Sequence, residues 1–215
     1  HCLIWHSQCA PWFWVDDKGK FVTPEVLKQR MKDHIHTVVG RYKGRIHGWD
    51  VVNEAIVEDG SYRNSPFYQI LGEEFIPLAF QYAHEADPDA ELYLNDYGVE
   101  LQGKAKTTAF YNLAMRLKKA GIPIDGVGLQ CHFSIGEVDS VKLDNTIARF
   151  EEAGLKCIIT ELDMGIPSTS DKDLEEQARL YRVITDIVLN HDNCPSMVIW
   201  GLKDNDSWRS ESNPL

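Results

Sequence analysis

Ile46-His47-Gly48-Trp49-Asp50-Val51-Val52-Asn53-Glu54 and Lys156-Cys157-Ile158-Ile159-Thr160-Glu161-Leu162-Asp163 are the two stretches whose reading decides the fold. Each is a short, apolar, β-branched run with little alternation, as expected of a strand buried on both faces of a parallel sheet. Each also runs straight into a carboxylate. A charge at the end of a buried strand is costly unless a site uses it. Four further runs have the same strand character: His1–Trp5, Glu91–Asn95, Gly126–Gln130 and Ser196–Trp200.

Helical patterns fill the intervals. Thr23 is placed to cap a helix with Pro24 at its first position, ending near Gly40. Ile76–Ala86 stops before Pro88, and residues 102–120 are closed by Gly121 and Pro123. Leu143–Ala153 is closed by Gly154. Residues 171–190 are expected to bury a stripe of Leu174, Ala178, Tyr181 and Ile184, with Ser170 and Asp173 as a capping box. Six strands with helical crossovers suit either an open doubly wound sheet or a closed barrel. No glycine-rich phosphate loop follows the first strand, which disfavours a nucleotide site. Polar residues instead follow strand after strand: His6, Asn53-Glu54, Asp96, Gln130 and His132, Glu161 and Asp163, then Asp204. Active groups spread over many strand ends are the pattern of a (β/α)8 TIM barrel, here with about six of its eight strands. The remaining strands would lie on another piece of chain, for instance beyond an inserted module, or be absent.

Composition bounds the partners. The chain has 215 residues, 43% hydrophobic and 26% charged, enough for one domain with a sizeable core. A formal charge of -11 disfavours nucleic acid and anionic membranes and says little about a neutral polymer. Six Trp and eight Tyr supply flat faces of the kind a sugar groove needs, although core packing uses the same rings. The five Cys show no metal-ligand spacing, a disulfide framework is not expected, and Cys2 and Cys157 read as buried thiols. No stretch is apolar enough to span a membrane and no signal peptide is visible. His34 and His36 fall within a helix and read as surface or packing residues, His47, His84 and His191 show no convergent ligand spacing, and the acidic Asp204, Asp206 and Glu211 read as a solvated loop.

Two carboxylates at strand ends suit glycoside hydrolysis: one acid protonates the leaving oxygen, the other attacks or activates water. Carboxyl groups about 5–5.5 Å apart would give retention through a covalent glycosyl-enzyme. Salt-bridged carboxylates at a barrel rim would leave the same sequence trace.

At this point the chain resembles glycoside hydrolase family 10, the β-1,4-xylanases. The matching blocks are His1-Cys-Leu-Ile-Trp-His6-Ser-Gln8, Trp49-Asp-Val-Val-Asn-Glu54-Ala and Leu94-Asn-Asp-Tyr97. Gly128-Leu-Gln130-Cys-His132, Thr160-Glu161-Leu-Asp163 and Trp200-Gly-Leu-Lys-Asp204-Asn-Asp-Ser-Trp208 complete them, in family order across nearly the whole chain. The resemblance implies that residues 1–215 are part of the catalytic domain, strands 3 to 8 of its barrel. It implies Glu54 as general acid/base and Glu161 as nucleophile. It puts Asn53 on the sugar 2-hydroxyl in the −1 subsite, with His6 and Gln130 lining that subsite and His132 bonded to the nucleophile. Trp200 and Trp208 would wall the sugar, Tyr97 would lie towards the leaving group, and Gln8 of the first block would be a further substrate-binding residue. Trp12 reads equally as a cleft aromatic or a loop anchor. Trp49, Asp96, Asp163 and Asp204 would support the site.

Xylan and xylo-oligosaccharides are the implied partners, with no nucleotide, no cofactor and no metal needed. A secreted, cell-surface or periplasmic protein is implied, with a carbohydrate-binding module elsewhere in the parent as a further option. The sequence departs from the family at Lys203, where Thr is frequent, and at Cys131, where Ser is common. Family residues of the first strands that contact the −2 and −1 sugars have no counterpart here. The alternatives are a retaining β-1,4-glucanase and a carbohydrate-binding barrel without turnover. The presence of both carboxylates and their His and Asn neighbours weighs against the second.

Overall fold

The computed structural model describes all residues, His1–Leu215. It divides into two compact units, His1–Asp96 with Thr108–Gly126, and Tyr97–Thr107 with Val127–Leu215.

In the first unit β1 (Cys2–Ile4), β2 (Gly48–Asn53) and β3 (Glu91–Asp96) run parallel, with β2 in the middle. Ile4 stands beside Val52, and Asn53 stands beside Asn95 at the last rung. Val51, Leu92 and Leu94 are fully buried, as a double-faced parallel sheet requires. Gly48 is needed for close packing: a Cβ there would lie 2.9 Å from the Tyr93 ring. The crossover after β1 is α1 (Pro24–Arg41), whose Thr23 hydroxyl accepts the Val26 N–H while Pro24 occupies the first turn. Its stripe of Leu27, Met31, Ile35 and Val39 is completely buried. Between β2 and β3 come α2 (Pro66–Leu71), capped by Ser65, and α3 (Phe75–Ala86), which packs against α1. α2 is too short to have left a periodic trace in the sequence. α4 (Ala105–Lys119) follows β3; it starts three residues later than its pattern suggests, because Gly103 adopts φ 103°.

The second unit contains β4 (Gly126–Leu129), β5 (His132–Ser134), α5 (Ser140–Glu152), β6 (Lys156–Gly165), α6 (Asp171–Leu189) and β7 (Met197–Ile199). β6 pairs with β4, β5 and β7. The fourth expected strand, Gly126–Gln130, is found as β4, and β5 is a further short strand that the sequence reading did not expect. Cys131, fully buried at φ 60°, separates β4 from β5. The α6 cap holds, since the Ser170 hydroxyl accepts the Asp173 N–H. Its buried stripe differs from expectation: Gln177, Leu180, Ile184, Ile187 and Val188 face inward, while Leu174 and Ala178 are exposed. Gln177 takes an inner place because its amide donates to the carbonyls of Met164 at 2.7 Å and Asn213 at 2.8 Å. All five thiols are free. Cys157 is buried, but Cys2 is exposed, being the outer residue of its short strand. No helix is long and apolar enough to cross a membrane.

Candidate active site

In the first unit, β2 ends on Asn53, which stands beside Asn95 one residue before the end of β3, and the Asn95 side-chain amide donates to Asn53 Oδ1 at 2.9 Å. That bond orients the Asn53 amide, whose nitrogen lies 3.5 Å from Glu54 Oε1. Glu54 itself leaves the strand in left-handed backbone, φ 58°. Its N–H donates to the Asn95 carbonyl at 2.9 Å, and its own carbonyl accepts Arg63 Nε at 2.7 Å. The Glu54 carboxylate is mostly buried, with His6 Nε2 and Arg63 Nη2 each 3.9 Å from Oε2. Burial first, and the Arg63 charge second, hold the His6 pKa below its usual value despite Glu54. His6 is therefore a neutral ring at neutral pH, with a buried Nδ1 that has no protein partner. Asp96 is completely buried and accepts the Ile56 N–H at 3.2 Å, bracing the loop that begins at Glu54. Trp49 lies in the core beside His1 and Tyr42. Gln8 is exposed at φ 52°. Trp12 is exposed on a short 3-10 turn that Arg30 holds through the Trp12 and Phe13 carbonyls.

In the second unit, the Glu161 N–H donates to the Gln130 carbonyl at 3.2 Å, so the end of β4 fixes the backbone beneath the carboxylate. β5 and β6 place His132 opposite Asp163 on one rung. His132 bridges two carboxylates: Nε2 is 3.3 Å from Glu161 Oε2 and Nδ1 is 3.0 Å from Asp163 Oδ2. Burial opposes its protonation. Asp163 and Glu161 more than offset that and push its pKa up to about 9. It is thus an imidazolium at neutral pH, whose Nε2 donates to Glu161 while Nδ1 meets Asp163 as an ion pair without hydrogen-bond alignment. Asp163 is fully buried. Burial alone would raise its pKa, but His132, Arg209 and Trp208 hold it below the ordinary carboxylate value. Arg209 reaches Asp163 Oδ1 at 2.6 Å and the Phe133 carbonyl at 2.8 Å, and Trp208 Nε1 donates to Asp163 Oδ2 at 2.8 Å. The Trp208 ring, 65% exposed, meets the His132 ring edge-on at 4.9 Å. Trp200 is bonded through its N–H to the Leu162 carbonyl, with its ring partly exposed. Asp204 accepts the Leu215 N–H at 2.9 Å, a brace for the chain that follows Arg209. Tyr97 carries the Lys106 ammonium over its ring at 3.2 Å from the centroid.

The structure adds Arg63 and Arg209, which sequence reading did not single out. Arg63 acts from a loop through a backbone carbonyl, which leaves no motif. Arg209 directly follows Trp208, and that adjacency was a usable signal. No three His, Cys, Asp or Glu side chains converge as a metal-holding group.

Parallel strands with helical crossovers that carry polar side chains at or near their C-terminal ends define an α/β protein of the barrel type. The chain belongs to glycosyl hydrolase family 10, whose model matches residues 1–215. Its fold class is accordingly the (β/α)8 barrel of that family. Endo-1,4-beta-xylanase A of Xylanibacter ruminicola is 40% identical over 97% of this chain, which spans 63% of that relative. Endo-1,4-beta-xylanase of Geobacillus stearothermophilus is 40% identical over 97% of this chain and 66% of its own length. The crystal structure of TsXylA, an intracellular xylanase from Thermoanaerobacterium saccharolyticum, superimposes with a TM-score of 0.93 at 39% identity, over all of this chain and 68% of that one. The chain therefore spans about two thirds of these relatives.

Proposed function

We propose that the protein is an endo-1,4-β-xylanase that cleaves internal xylosidic bonds with retention, using Glu161 as nucleophile and Glu54 as general acid/base. The observation that carries this reading is the His132 bridge. A buried, cation-braced Asp163 holds the His132 imidazolium against Glu161 and so seats the carboxylate that attacks the sugar. Glu161 attacks the anomeric carbon while Glu54 gives its proton to the departing oxygen. The glycosyl ester is then cleaved by water, whose proton passes to Glu54. Asn53, oriented by Asn95, contacts the 2-hydroxyl and strengthens that bond as positive charge develops on the ring. His6 and Gln130 line the same subsite, Trp200 and Trp208 face the sugar ring, and Gln8, Trp12 and Tyr97 lie further along the substrate.

Support also comes from relatives. TsXylA has been solved as two single Glu-to-Ala variants, with xylotetraose and with xylotriose, and the two glutamates are spaced nearly as Glu54 and Glu161 are. A relative named exoglucanase XynX, from Acetivibrio thermocellus, is 40% identical over 99% of this chain, which keeps β-1,4-glucan as the second substrate to assay. The size of xylan argues for a secreted or surface protein; cell fractionation of the source organism tests that, and a solely cytoplasmic parent protein would contradict it. A carbohydrate-binding module elsewhere in the parent is the companion reading, checked by pull-down on insoluble xylan.

Azide rescue tests the two roles in the parent protein. With Glu54→Ala, an activated aryl xylobioside should form the intermediate, which then accumulates, and azide should release it as the β-glycosyl azide. With Glu161→Ala the azide product should be α. NMR of the anomeric proton distinguishes them, and the opposite pair of products overturns the assignment.

A further inference from the structure

Glu100 is a buried carboxylate with no part in the steps above. It lies in the segment after β3, and its Oε1 accepts two backbone N–H groups, Cys131 at 2.8 Å and Gly98 at 3.2 Å. A carboxylate in so dry a place is costly unless backbone donors meet it, and here they do. Burial pushes its pKa up, while the Cys131 N–H and the nearby His132 charge work against that rise.

The residue it grips is strained. Cys131 is fully buried in left-handed backbone, φ 60°, a region that non-glycine residues occupy only when their surroundings force them. Its chain neighbours both serve Glu161: the Gln130 carbonyl accepts the Glu161 N–H, and the His132 ring contacts its carboxylate. The turn at 131 thus sets the direction of β5 relative to β4. A relaxation there would rotate the His132 ring away from Oε2 and loosen the carbonyl beneath the carboxylate.

We propose that Glu100 is a positioning residue for the nucleophile: by clamping the Cys131 N–H it holds the left-handed turn between β4 and β5 and so keeps His132 and the Gln130 carbonyl seated against Glu161. This rests on the reading of Glu161 as the nucleophile. What matters is an acceptor at the reach of a glutamate side chain, not its charge. Glutamine keeps that acceptor in place, whereas aspartate keeps the charge but withdraws the oxygen by one carbon–carbon bond.

The experiment compares Glu100→Gln and Glu100→Asp in the full parent protein. The probe is a dinitrophenyl 2-deoxy-2-fluoro-β-xylobioside, which esterifies the nucleophile and is followed by intact mass. The expected result is a labelling rate within about 3-fold of the parent for the Gln variant and roughly 30-fold slower for the Asp variant, with the dissociation constant of the probe little changed in both. Folding is checked by thermal midpoint. An Asp variant that labels at the parent rate overturns the proposal, as does a Gln variant slowed as much as Asp. Two variants that both fail to fold also overturn it, since Glu100 would then serve folding alone. If the unaltered parent is not labelled at Glu161, the nucleophile reading fails instead. The clamp is then judged on the ring-nitrogen NMR shifts of His132, which must move in the Asp variant and stay in the Gln variant.

Discussion

Left-handed backbone at Gln8, Glu54 and Cys131 marks the residue scale of this molecule. Each such non-glycine residue costs about 1–2 kcal/mol, and Glu54 keeps its conformation because the Asn95 carbonyl and Arg63 hold its peptide groups from either side. The same scale sets a pH dependence. His132 titrates at about 9 in the fold, against 6.5 for a free imidazole. The folded state therefore binds this proton more tightly than the unfolded chain. Its stabilisation is present in full below about pH 6.5 and is lost as pH rises through about 9. At most it amounts to about 3 kcal/mol, shared with Asp163 and Glu161 rather than additional to them. Asp163 works in the opposite direction: its depressed pKa lends stability above the ordinary Asp range that fades as pH falls. Urea midpoints between pH 6 and 10 should drop for the wild type and drop much less for His132→Gln. Parallel curves for the two proteins would refute the bridge. That His132 and Glu161 belong together came from family resemblance. Arg63, Arg209 and Glu100 were not singled out, because they act through backbone groups or through a residue distant in the chain.

At the element scale, strands and crossovers were largely legible. Apolar β-branched runs bounded by helix caps announce βα units, and Thr23-Pro24 and Ser170 mark helix starts as the capping rules require. The misread face of α6 has a physical cause: a glutamine that satisfies two buried carbonyls displaces the apolar residue that periodicity would place there. Gln177→Leu tests this. Two carbonyls in or near the core, those of Met164 and Asn213, would lose their donor, at a cost of about 2–3 kcal/mol. The segment after Arg209 should then exchange its amides faster by hydrogen-exchange mass spectrometry, and hydrolysis should weaken as Trp208 and Arg209 lose their anchorage. Unchanged exchange over residues 209–215 would show that α6 does not brace that segment. The turn at Cys131 and the short β5 after it were not legible, since nothing in Gln130-Cys131-His132 signals a positive φ.

For the whole molecule, reaction outcome is the decisive observable. The parent protein should release the β-anomer first from xylo-oligosaccharides, seen by NMR before mutarotation, and should turn over xylan at least about ten-fold faster than soluble cellulose, since an added hydroxymethyl group is discriminated by about 1–3 kcal/mol in a fitted pocket. An initial α-anomer would overturn retention, and equal rates would favour the glucanase reading. By itself the sequence determined the α/β class, the placement of Glu54 just past a strand end and the order of the family blocks; Glu161, expected at a strand end, lies inside β6, which continues to Gly165. These follow from short-range rules: side-chain shape sets strand and helix, and a carboxylate after an apolar run is costly wherever the chain goes. Only the tertiary structure decided that Asp163, Arg209 and Trp208 brace His132, that Asn95 orients Asn53, that Trp49 is core, and that Cys131 turns left-handed under Glu100. Those are contacts between residues far apart in the chain, and their energies depend on burial and distance, which exist only once the strands have paired.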